Sequence, residues 1–385
     1  MEQLLSAYEQ LWQACGAWGT ILLAATIALF FFQFRYWVRY GRIPSYRDPH
    51  HGESRPPVSV AMVLHESDDS FLNEGLPLLL GQEYDEFEVV AVDITGDMEF
   101  GEALSLIAAN NPRLNVVHMV RDPRFPISDK MALNVAIKTA RYDNILITTA
   151  DCCPASPQWA ARMARAFDSA DVVIGYCGIT DISPDSRIIR TACACHAVRW
   201  LSAAMSGKPY RAVIQNMGFT KQAYFSNGGF NYLNMNAGED DLFIQKVLRS
   251  GWAAVVVSPN SLMRRTVWGG LRQWRAERKL RSGTFRYYTP QAKWYVSAEL
   301  WSRALFFAAA IASIAILPLE MKLFAVALLA IRLGFVMLGM RRITRRLCEK
   351  GILATIPLYD MCSLLFEARM AVGRCFRRHQ AGLWR

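Results

Sequence analysis

Acidic residues that follow apolar segments are the residues of this sequence best suited to chemistry. Two of them each end a short apolar segment and three form a cluster before a helix-like segment; they are Asp93 and Asp151, and then Glu239, Asp240 and Asp241. Carboxylates can hold a divalent metal ion or take a proton from a hydroxyl group. They can also simply cap helices, because a helix N-terminus favours negative charge. Their chemistry therefore depends on whether the fold brings them together.

A strongly basic segment follows the acidic cluster. Residues 264–283 contain seven Lys and Arg residues and a single acid, Glu277. Arginine guanidinium groups match phosphate oxygens, so this segment could bind a pyrophosphate or face an anionic membrane. Nucleic acid is excluded as a partner because no recognition motif accompanies the basic residues and the chain carries membrane segments.

Short apolar segments alternate with helix-like segments in the middle of the chain. The predicted strands are residues 58–64, 87–93, 114–120 and 144–151, and the predicted helices are residues 71–82, 101–111 and 128–140. This alternation predicts an α/β fold with a mostly parallel sheet flanked by helices. Ligands of such sheets bind beyond the carboxyl ends of the strands, where Asp93 and Asp151 are expected.

The composition and the apolar segments predict membrane-spanning helices in addition to a soluble domain. The chain has 385 residues, a net charge of +10 and 52% hydrophobic residues, which excludes a disordered chain. No charged residue occurs between Gln10 and Phe34, and this stretch is long enough to cross a bilayer. A signal peptide is the alternative, but the stretch has no basic start and no cleavage site. Two more apolar blocks, 304–319 and 323–340, predict a helical hairpin.

These segments divide the chain into four parts. The parts are an N-terminal transmembrane helix with a basic linker (1–54), a cytosolic catalytic domain (55–290), a transmembrane hairpin (291–350), and an interfacial amphipathic helix with a basic tail (351–385). Basic and aromatic residues after the first apolar block, and basic residues after the third, predict a cytoplasmic side. The protein is therefore expected to be a multi-pass protein of the inner (plasma) membrane, in contact with membrane lipids, with its catalytic domain in the cytoplasm.

Two local features have competing interpretations. Arg332 interrupts the third apolar block and is interpreted as packed between helices, with contact to a lipid phosphate or lipid acceptor as the alternative. Cys193, Cys195 and His196 could suggest a metal site, but no second ligand pair lies at zinc-finger spacing. They are expected to pack in a helix core.

The order and spacing of these segments resemble the membrane-bound members of glycosyltransferase family 2, which have the GT-A fold. The resemblance covers roughly residues 56–290 through VSVAMVLHES, EVVAVDITGD, DKMALN, ITTADCCP, NMGFTKQAYFSNGGF, GEDDL and WGGLRQWRAER. It implies an inverting enzyme that uses a nucleotide-sugar donor and Mg²⁺ or Mn²⁺. The expected acceptor is a lipid-linked or membrane-attached glycan, in cell-envelope glycan synthesis.

The resemblance also implies roles for individual residues. Binding of the nucleotide sugar is assigned to Leu64, His65, Glu66, Asp93, Lys130, Gln273, Trp274, Arg275 and Arg278. Asp151 is assigned to the metal, and Asp240, with Glu239 beside it, is assigned as the general base. Three departures accompany these roles: Ile94 and Thr149 stand where the family has acids, and the Gln-x-x-Arg-Trp spacing is not reproduced.

Other functions are compatible with the same sequence. A degenerate transferase could bind a nucleotide or a partner without turnover, since a retained fold does not guarantee a retained activity. A membrane scaffold or transporter is disfavoured, because three clear apolar segments are few and no inverted repeat is visible. A processive synthase usually needs more membrane helices, so addition of single sugars is favoured.

Overall fold

Two β-sheets and three long apolar helices organise the part of the chain that the computed structural model describes. This part comprises residues 2–48, 54–119, 127–231, 233, 237–248 and 252–376, with only the backbone described for residues 2–15 and 374–376. The strands are β1 (Val58–Leu64), β2 (Phe87–Asp93), β3 (Leu114–His118), β4 (Asn144–Ile147), β5 (Cys152–Pro154), β6 (Val172–Ile174), β7 (Cys177–Ile179), β8 (Met217–Thr220), β9 (Ala253–Val255) and β10 (Met263–Arg265).

The larger sheet has the strand order β3-β2-β1-β4-β8-β6-β9. Strands β3, β2, β1 and β4 are parallel to one another, β6 is parallel to β9, and β8 is antiparallel to both β4 and β6. Every residue of β1 and β2 is buried, as expected for parallel strands covered by helices on both faces. The predicted, mostly parallel α/β sheet is confirmed. A smaller sheet has the order β5-β10-β7.

The predicted strands differ from the observed ones mainly at their carboxyl ends. Strands β1 and β2 have the predicted bounds, and the end of the third prediction, residue 120, lies outside the described residues. The expectation that the fourth strand continues to Asp151 was wrong, because β4 ends at Ile147. Beyond it the chain turns towards the smaller sheet, and this turn is closed by the Cys152 amide, which donates to the Thr149 carbonyl at 3.0 Å.

The helices lie on both faces of the larger sheet and in a bundle beside it. They are α1 (Glu2–Tyr40), α2 (Leu76–Leu80), α3 (Met98–Asn110), α4 (Asp129–Thr139), α5 (Trp159–Ala164), α6 (Ser186–Met205), α7 (Lys221–Ser226), α8 (Leu242–Val247), α9 (Gly270–Arg281), α10 (Pro290–Ile316), α11 (Leu319–Arg346) and α12 (Ile356–Phe376). A π-helical turn, Phe71–Gly75, leads directly into α2, so the helix predicted from residue 71 ends at Leu80.

Three helical segments are long and apolar enough to cross a membrane: Gly16–Tyr40, Pro290–Ile316 and Leu319–Arg346. Helices α1, α10 and α11 pack against one another. Polar side chains join them, with Thr26 Oγ1 3.2 Å from Ser313 Oγ and Gln33 Nε2 donating to Ser302 Oγ at 2.5 Å. Hydrogen bonds of this kind hold helices together where apolar burial offers no advantage over lipid.

The C-terminal helix α12 is attached to this bundle by a buried ion cluster. Asp360 accepts hydrogen bonds from Arg303 Nη1 at 3.0 Å and from Arg332 Nη1 at 2.5 Å. Arg332 is only 2% exposed and lies over the rings of Phe306 and Phe307. The interpretation of Arg332 as packed between helices is confirmed, and its burial leaves no room for contact with a lipid phosphate.

The turn after α11 places Glu349 against α6 and the smaller sheet. Its carboxylate accepts from Arg190 Nε at 3.1 Å, from Arg264 Nη1 at 2.5 Å and from Tyr176 Oη at 3.1 Å, and its side chain is fully buried. A Cβ on the adjacent Gly178 would lie 2.3 Å from Glu349 Oε1, so this close approach requires glycine. Glu349 therefore fixes the helical hairpin relative to the smaller sheet.

The three possible metal ligands of α6 are part of helix packing. Cys195 packs against the main core, and Cys193 packs against the cluster that contains Trp274. Among the described residues, no group of three or more His, Cys, Asp and Glu side chains could hold a metal ion. The expectation of packing in a helix core is confirmed for Cys193 and Cys195, whereas His196 Nε2 lies 3.1 Å from the Tyr359 hydroxyl of α12.

Candidate active site

A polar cavity of about 640 Å³ lies beyond the carboxyl ends of β1 and β4. Its walls come from five parts of the chain: the end of β1 and the residues after it, the start of α4, the turn after β4, the acidic cluster, and the segment from β10 through α9. This is the edge of a parallel sheet at which ligands are expected.

Seven of the twelve predicted site residues line the polar cavity. They are His65, Glu66, Lys130, Asp151, Glu239, Asp240 and Gln273. The convergence of Asp151 with Asp240 is the central feature, because 89 positions separate them in the sequence. The fold therefore brings together two of the acids that the sequence singled out.

Asp151 is held by an arginine and a threonine. Its Oδ2 accepts from Arg265 Nε at 2.5 Å, and its Oδ1 accepts from Thr149 Oγ1 at 2.5 Å. Arg265 also donates through Nη1 and Nη2 to the two carboxylate oxygens of Glu277, at 2.7 and 2.8 Å. One guanidinium thus bridges two acids that come from different elements.

Asp240 is 4% exposed and faces two arginines. Its Oδ2 accepts from Arg211 Nη2 at 3.2 Å and from Arg281 Nη1 at 3.3 Å. Beside it, Glu239 lies 3.3 Å from Lys130 Nζ, and burial raises the pKa of Glu239 while Lys130 opposes that rise. The acidic cluster is therefore balanced by fixed positive charge.

Asp241 has a structural part in the same cluster. It caps α8 by accepting from the Leu242 amide, and its Oδ2 accepts from Thr284 Oγ1 at 2.5 Å and from Tyr288 Oη at 2.8 Å. Burial raises the pKa of Asp241, and the neighbouring charge of Asp240 raises it further. Asp241 thus anchors the segment that leads into α10, whereas Asp240 faces the cavity.

Asp93 does not line the polar cavity. Its side chain is buried and accepts from the Thr95 amide at 2.9 Å, from Thr95 Oγ1 at 2.7 Å and from His118 Nδ1 at 2.9 Å. It points to the edge strand β3 and to Gly101 of α3. Leu64 also lies outside the cavity lining, since it is 1% exposed within β1. The expected convergence of all three aspartates thus holds only for Asp151 and Asp240.

A second, apolar cavity of about 530 Å³ adjoins the polar one. The two share a wall formed by Gln215, Arg265, Glu277 and Arg281. The apolar cavity lies between α6, α9, α10 and α12, and its far end is formed by side chains of the helical bundle and of α12. These side chains include Leu300, Trp301, Ala304, Leu364 and Val372.

Trp274 and Arg278 line the apolar cavity and not the polar one. Trp274 stacks on Phe366 of α12 at a ring separation of 6.0 Å. Arg278 lies over both rings and donates to Glu367 Oε1 at 3.2 Å. Arg275, which was assigned with them to the nucleotide sugar, is exposed and lines neither cavity. Arg275 points away from Trp274 and Arg278 because successive helical residues point about 100° apart, whereas residues four positions apart share one face.

Helical periodicity is also the signal that the sequence interpretation missed. Gln273, Glu277 and Arg281 are spaced four residues apart, lie on one face of α9 and line the polar cavity. Arg265 lies in β10, before α9. No sequence pattern indicated it, because its partner Asp151 is distant in sequence. Arg211 was likewise undetectable from spacing alone.

Comparisons with known proteins bear on the fold and the family of this chain. The mannosyltransferase PcManGT from Pyrobaculum calidifontis, solved in complex with GDP-Man and Mn²⁺, is similar with a TM-score of 0.53 and 20% identity. The match covers 88% of this chain and 99% of that chain. GalNAc-T7, solved with UDP, GalNAc and Mn²⁺, has a TM-score of 0.43 and 14% identity, over 57% of this chain and 45% of that chain. The comparison with curated proteins found no match.

The fold is that of the GT-A class of glycosyltransferases. The chain belongs to glycosyl transferase family 21, whose model matches residues 20–369. The expectation of a glycosyltransferase is therefore confirmed, but the matching family is family 21 and not family 2, which the sequence resemblance named. The matched range includes the candidate membrane spans Pro290–Ile316 and Leu319–Arg346 and residues 20–40 of the first candidate span.

Proposed function

We propose that this protein is a membrane-anchored, inverting glycosyltransferase that moves a sugar from a nucleotide sugar to a hydroxyl of a membrane-attached or lipid-linked acceptor. The observation that supports this most directly is the junction of the two cavities. The polar cavity contains Asp151 and Asp240 and suits a charged nucleotide sugar. The apolar cavity runs from the shared wall to α10 and α12 and suits the apolar part of an acceptor.

The proposed setting is cell-envelope glycan synthesis at the inner (plasma) membrane. The bundle of α1, α10 and α11 would span the bilayer, and the catalytic domain would lie in the cytoplasm, where nucleotide sugars are available. The basic residues at the ends of α1 and α11, which at the end of α1 are accompanied by aromatic residues, support this orientation. The acceptor hydroxyl would then approach from the membrane side, through the apolar cavity.

Sugar transfer requires a base for the acceptor hydroxyl. In the proposed reaction the hydroxyl oxygen attacks the anomeric carbon and its proton passes to Asp240. The bond from this carbon to the diphosphate oxygen breaks, and the nucleoside diphosphate leaves. Positive charge develops on the sugar ring, as in glycoside hydrolysis. One displacement with one base inverts the anomeric configuration.

The contacts of Asp240 suit this task. Both arginine contacts found among the described residues reach Oδ2, so Oδ1 is the oxygen we assign to the acceptor proton. Arg211 and Arg281 hold the carboxylate in one orientation, which a general base requires. Glu239, next to Asp240, contacts Lys130 and is assigned a supporting role in the site.

A divalent ion fits this site if the nucleotide sugar supplies most of its ligands. Mg²⁺ is commonly held by one or two carboxylates together with substrate phosphates, and Asp151 offers one carboxylate. Of the residues that the structure describes, none form a group of three or more acidic, Cys or His ligands. Asp151 would therefore hold Mg²⁺ or Mn²⁺ jointly with the diphosphate, and the bound ion would neutralise part of the diphosphate charge.

Asp151→Ala tests this assignment. We expect nucleoside diphosphate binding to lose its dependence on Mn²⁺ and the transfer rate to fall roughly 10²-fold or more, because the carboxylate that holds the ion is gone. Calorimetric titration of GDP and UDP, with Mn²⁺ and with EDTA, measures the first effect. Glu102→Ala, an exposed acid on α3, is the matched control and should behave as wild type. Wild-type binding that is unchanged by EDTA would contradict the metal assignment.

Filling the apolar cavity tests the acceptor. Ala368 of α12 lines this cavity, whereas Leu365 of the same helix is 76% exposed and does not. Ala368→Trp is expected to raise the acceptor KM about 10-fold or more by occupying acceptor space, with nucleoside diphosphate affinity unchanged. Leu365→Trp adds the same side chain outside the cavity and should leave both values unchanged. Equal KM values for the two variants would place the acceptor elsewhere.

The proposed activity as a whole is tested with a panel of nucleotide sugars. The purified protein in detergent is incubated with each donor and a membrane lipid extract, with and without Mn²⁺, and products are identified by mass spectrometry. NMR of the product reports whether the anomeric configuration has inverted. Nucleoside diphosphate binding without turnover of any donor would instead support the degenerate transferase, which the replacement of an acid by Thr149 keeps as the second candidate.

A further inference from the structure

Arg265 occupies a position that the proposed reaction leaves unassigned. Its side chain belongs to the wall shared by the two cavities, is 13% exposed, and contacts the acid assigned to the metal ion. We propose that Arg265 is a further catalytic residue, whose guanidinium exchanges Asp151 for the diphosphate of the bound nucleotide sugar and stabilises the leaving nucleoside diphosphate. This inference rests on the proposed sugar transfer.

The backbone of Arg265 is fixed on both sides. It ends β10, the central strand of the smaller sheet, opposite Cys152 of β5 and Ile179 of β7. Its guanidinium is held by Glu277 through two hydrogen bonds of 2.7 and 2.8 Å. This bidentate contact fixes the plane of the guanidinium, and it leaves Nε directed at Asp151.

All three described positive side chains of the polar cavity contact acids, and they differ in which acid they contact. Among the described residues, the Lys and Arg side chains that line this cavity are Lys130, Arg265 and Arg281. Lys130 donates to the carbonyl oxygens of Leu233 and Ala237 and contacts Glu239, whereas Arg281 contacts Asp240. Arg265 is therefore the guanidinium next to the carboxylate that would hold the ion and the diphosphate.

Binding of the nucleotide sugar would cause Arg265 to exchange Asp151 for the diphosphate. Asp151 Oδ2 accepts from Arg265 in this structure, and the same oxygen would be needed by a divalent ion. If a bound ion occupied that oxygen, Arg265 would keep its contact with Glu277, and its Nε–H would be available to the adjacent diphosphate. Charge-assisted hydrogen bonds from arginine to phosphate are among the strongest in proteins.

The change in the hydrogen-bond partner of Arg265 does not alter which bonds form and break in the proposed reaction. The acceptor oxygen forms its bond to the anomeric carbon, and the bond from this carbon to the diphosphate oxygen breaks with its electron pair on that oxygen. The acceptor proton goes to Asp240. Arg265 gives up no proton; its hydrogen bond strengthens as negative charge grows on the diphosphate.

Three variants and one control test the proposal. Arg265→Met removes the charge, Arg265→Lys keeps it without the planar guanidinium, and Glu277→Gln weakens the contact that positions it. Arg272→Met makes the same exchange at an exposed position of α9 that lines neither cavity. Each is assayed for kcat and for acceptor KM, and each is titrated with GDP and UDP by calorimetry in Mn²⁺ and in EDTA.

We expect Arg265→Met to lower kcat roughly 10²- to 10³-fold, with acceptor KM unchanged within about twofold. Its affinity for the nucleoside diphosphate should fall about 10-fold or more in Mn²⁺, and less in EDTA, where Arg265 stays with Asp151. Arg265→Lys should recover part of both losses, Glu277→Gln should lie between wild type and Arg265→Met, and Arg272→Met should match wild type.

An unchanged affinity of Arg265→Met for both nucleoside diphosphates, or a wild-type kcat, would overturn the proposal. Circular dichroism and the Tm in detergent show whether each variant is folded. If Arg265→Met is not folded, the kcat and the affinity of Arg265→Lys test the proposal instead. The calorimetric titration does not depend on turnover. A wild-type protein that transfers no sugar but binds nucleoside diphosphate through Arg265 would therefore refute the proposed function alone.

Discussion

Asp240→Asn is expected to lower kcat roughly 10²- to 10⁴-fold, because an amide cannot take the proton of the acceptor hydroxyl. The affinity for the nucleoside diphosphate should change less than about twofold, since the contacts of Asp240 in the structure are to Arg211 and Arg281. The initial rate of nucleoside diphosphate release at saturating donor and acceptor measures the first value, and calorimetry measures the second.

Asp241→Asn is the matched control for this experiment. Asp241 caps α8 and bonds to Thr284 and Tyr288, so its loss should lower the Tm and change kcat of the folded fraction by less than about tenfold. The two neighbouring acids should thus show opposite patterns. If Asp240→Asn keeps kcat within tenfold of wild type and lowers only the Tm, then Asp240 is an ion-pair residue and not the base.

Glu349→Gln is expected to lower the free energy of unfolding by roughly 3–5 kcal/mol. The variant removes the charge opposite Arg190 and Arg264 while keeping the shape of the side chain, and both guanidinium groups then lack their buried counter-charge. Thermal unfolding in detergent, followed by intrinsic fluorescence, should show a fall in Tm of about 5–10 °C.

Two further variants define what Glu349 does. Glu102→Gln makes the same exchange at an exposed position and should leave the Tm unchanged. Combining Glu349→Leu with Arg264→Met removes both partners of one buried pair, and this should recover part of the stability lost in Glu349→Leu alone. A Tm of Glu349→Gln within 1 °C of wild type would mean that the buried carboxylate is not important for stability.

The fold was predictable where local pattern and burial agree. Strands β1 and β2 were predicted with their observed bounds, because seven consecutive largely apolar residues can be fully buried only in the middle of a parallel sheet. The later strands β5, β6, β7, β9 and β10 have three residues each. Segments this short carry no periodicity, and their partners are fixed by contacts distant in sequence.

The candidate site was predictable in its acids but not in their partners. Asp151 was found because it follows an apolar segment, and Asp240 was found because it belongs to the acidic cluster before a helix-like segment. Which acid of the cluster caps α8 depends on Thr284 and Tyr288, which lie more than 40 positions away. Asp93 had the same local pattern as Asp151, yet its neighbour His118 and its own turn direct it to the edge of the sheet. Such partners are decided by tertiary packing.

The buried attachment of Glu349 has a consequence for the choice of acceptor. This carboxylate joins the hairpin to the smaller sheet and so fixes the distance between the polar cavity and the ends of α10 and α11. If the proposed function holds, Asp240 would lie at a fixed distance from the membrane. An acceptor would then be glycosylated only when the spacing between its membrane-embedded part and its hydroxyl matched that distance.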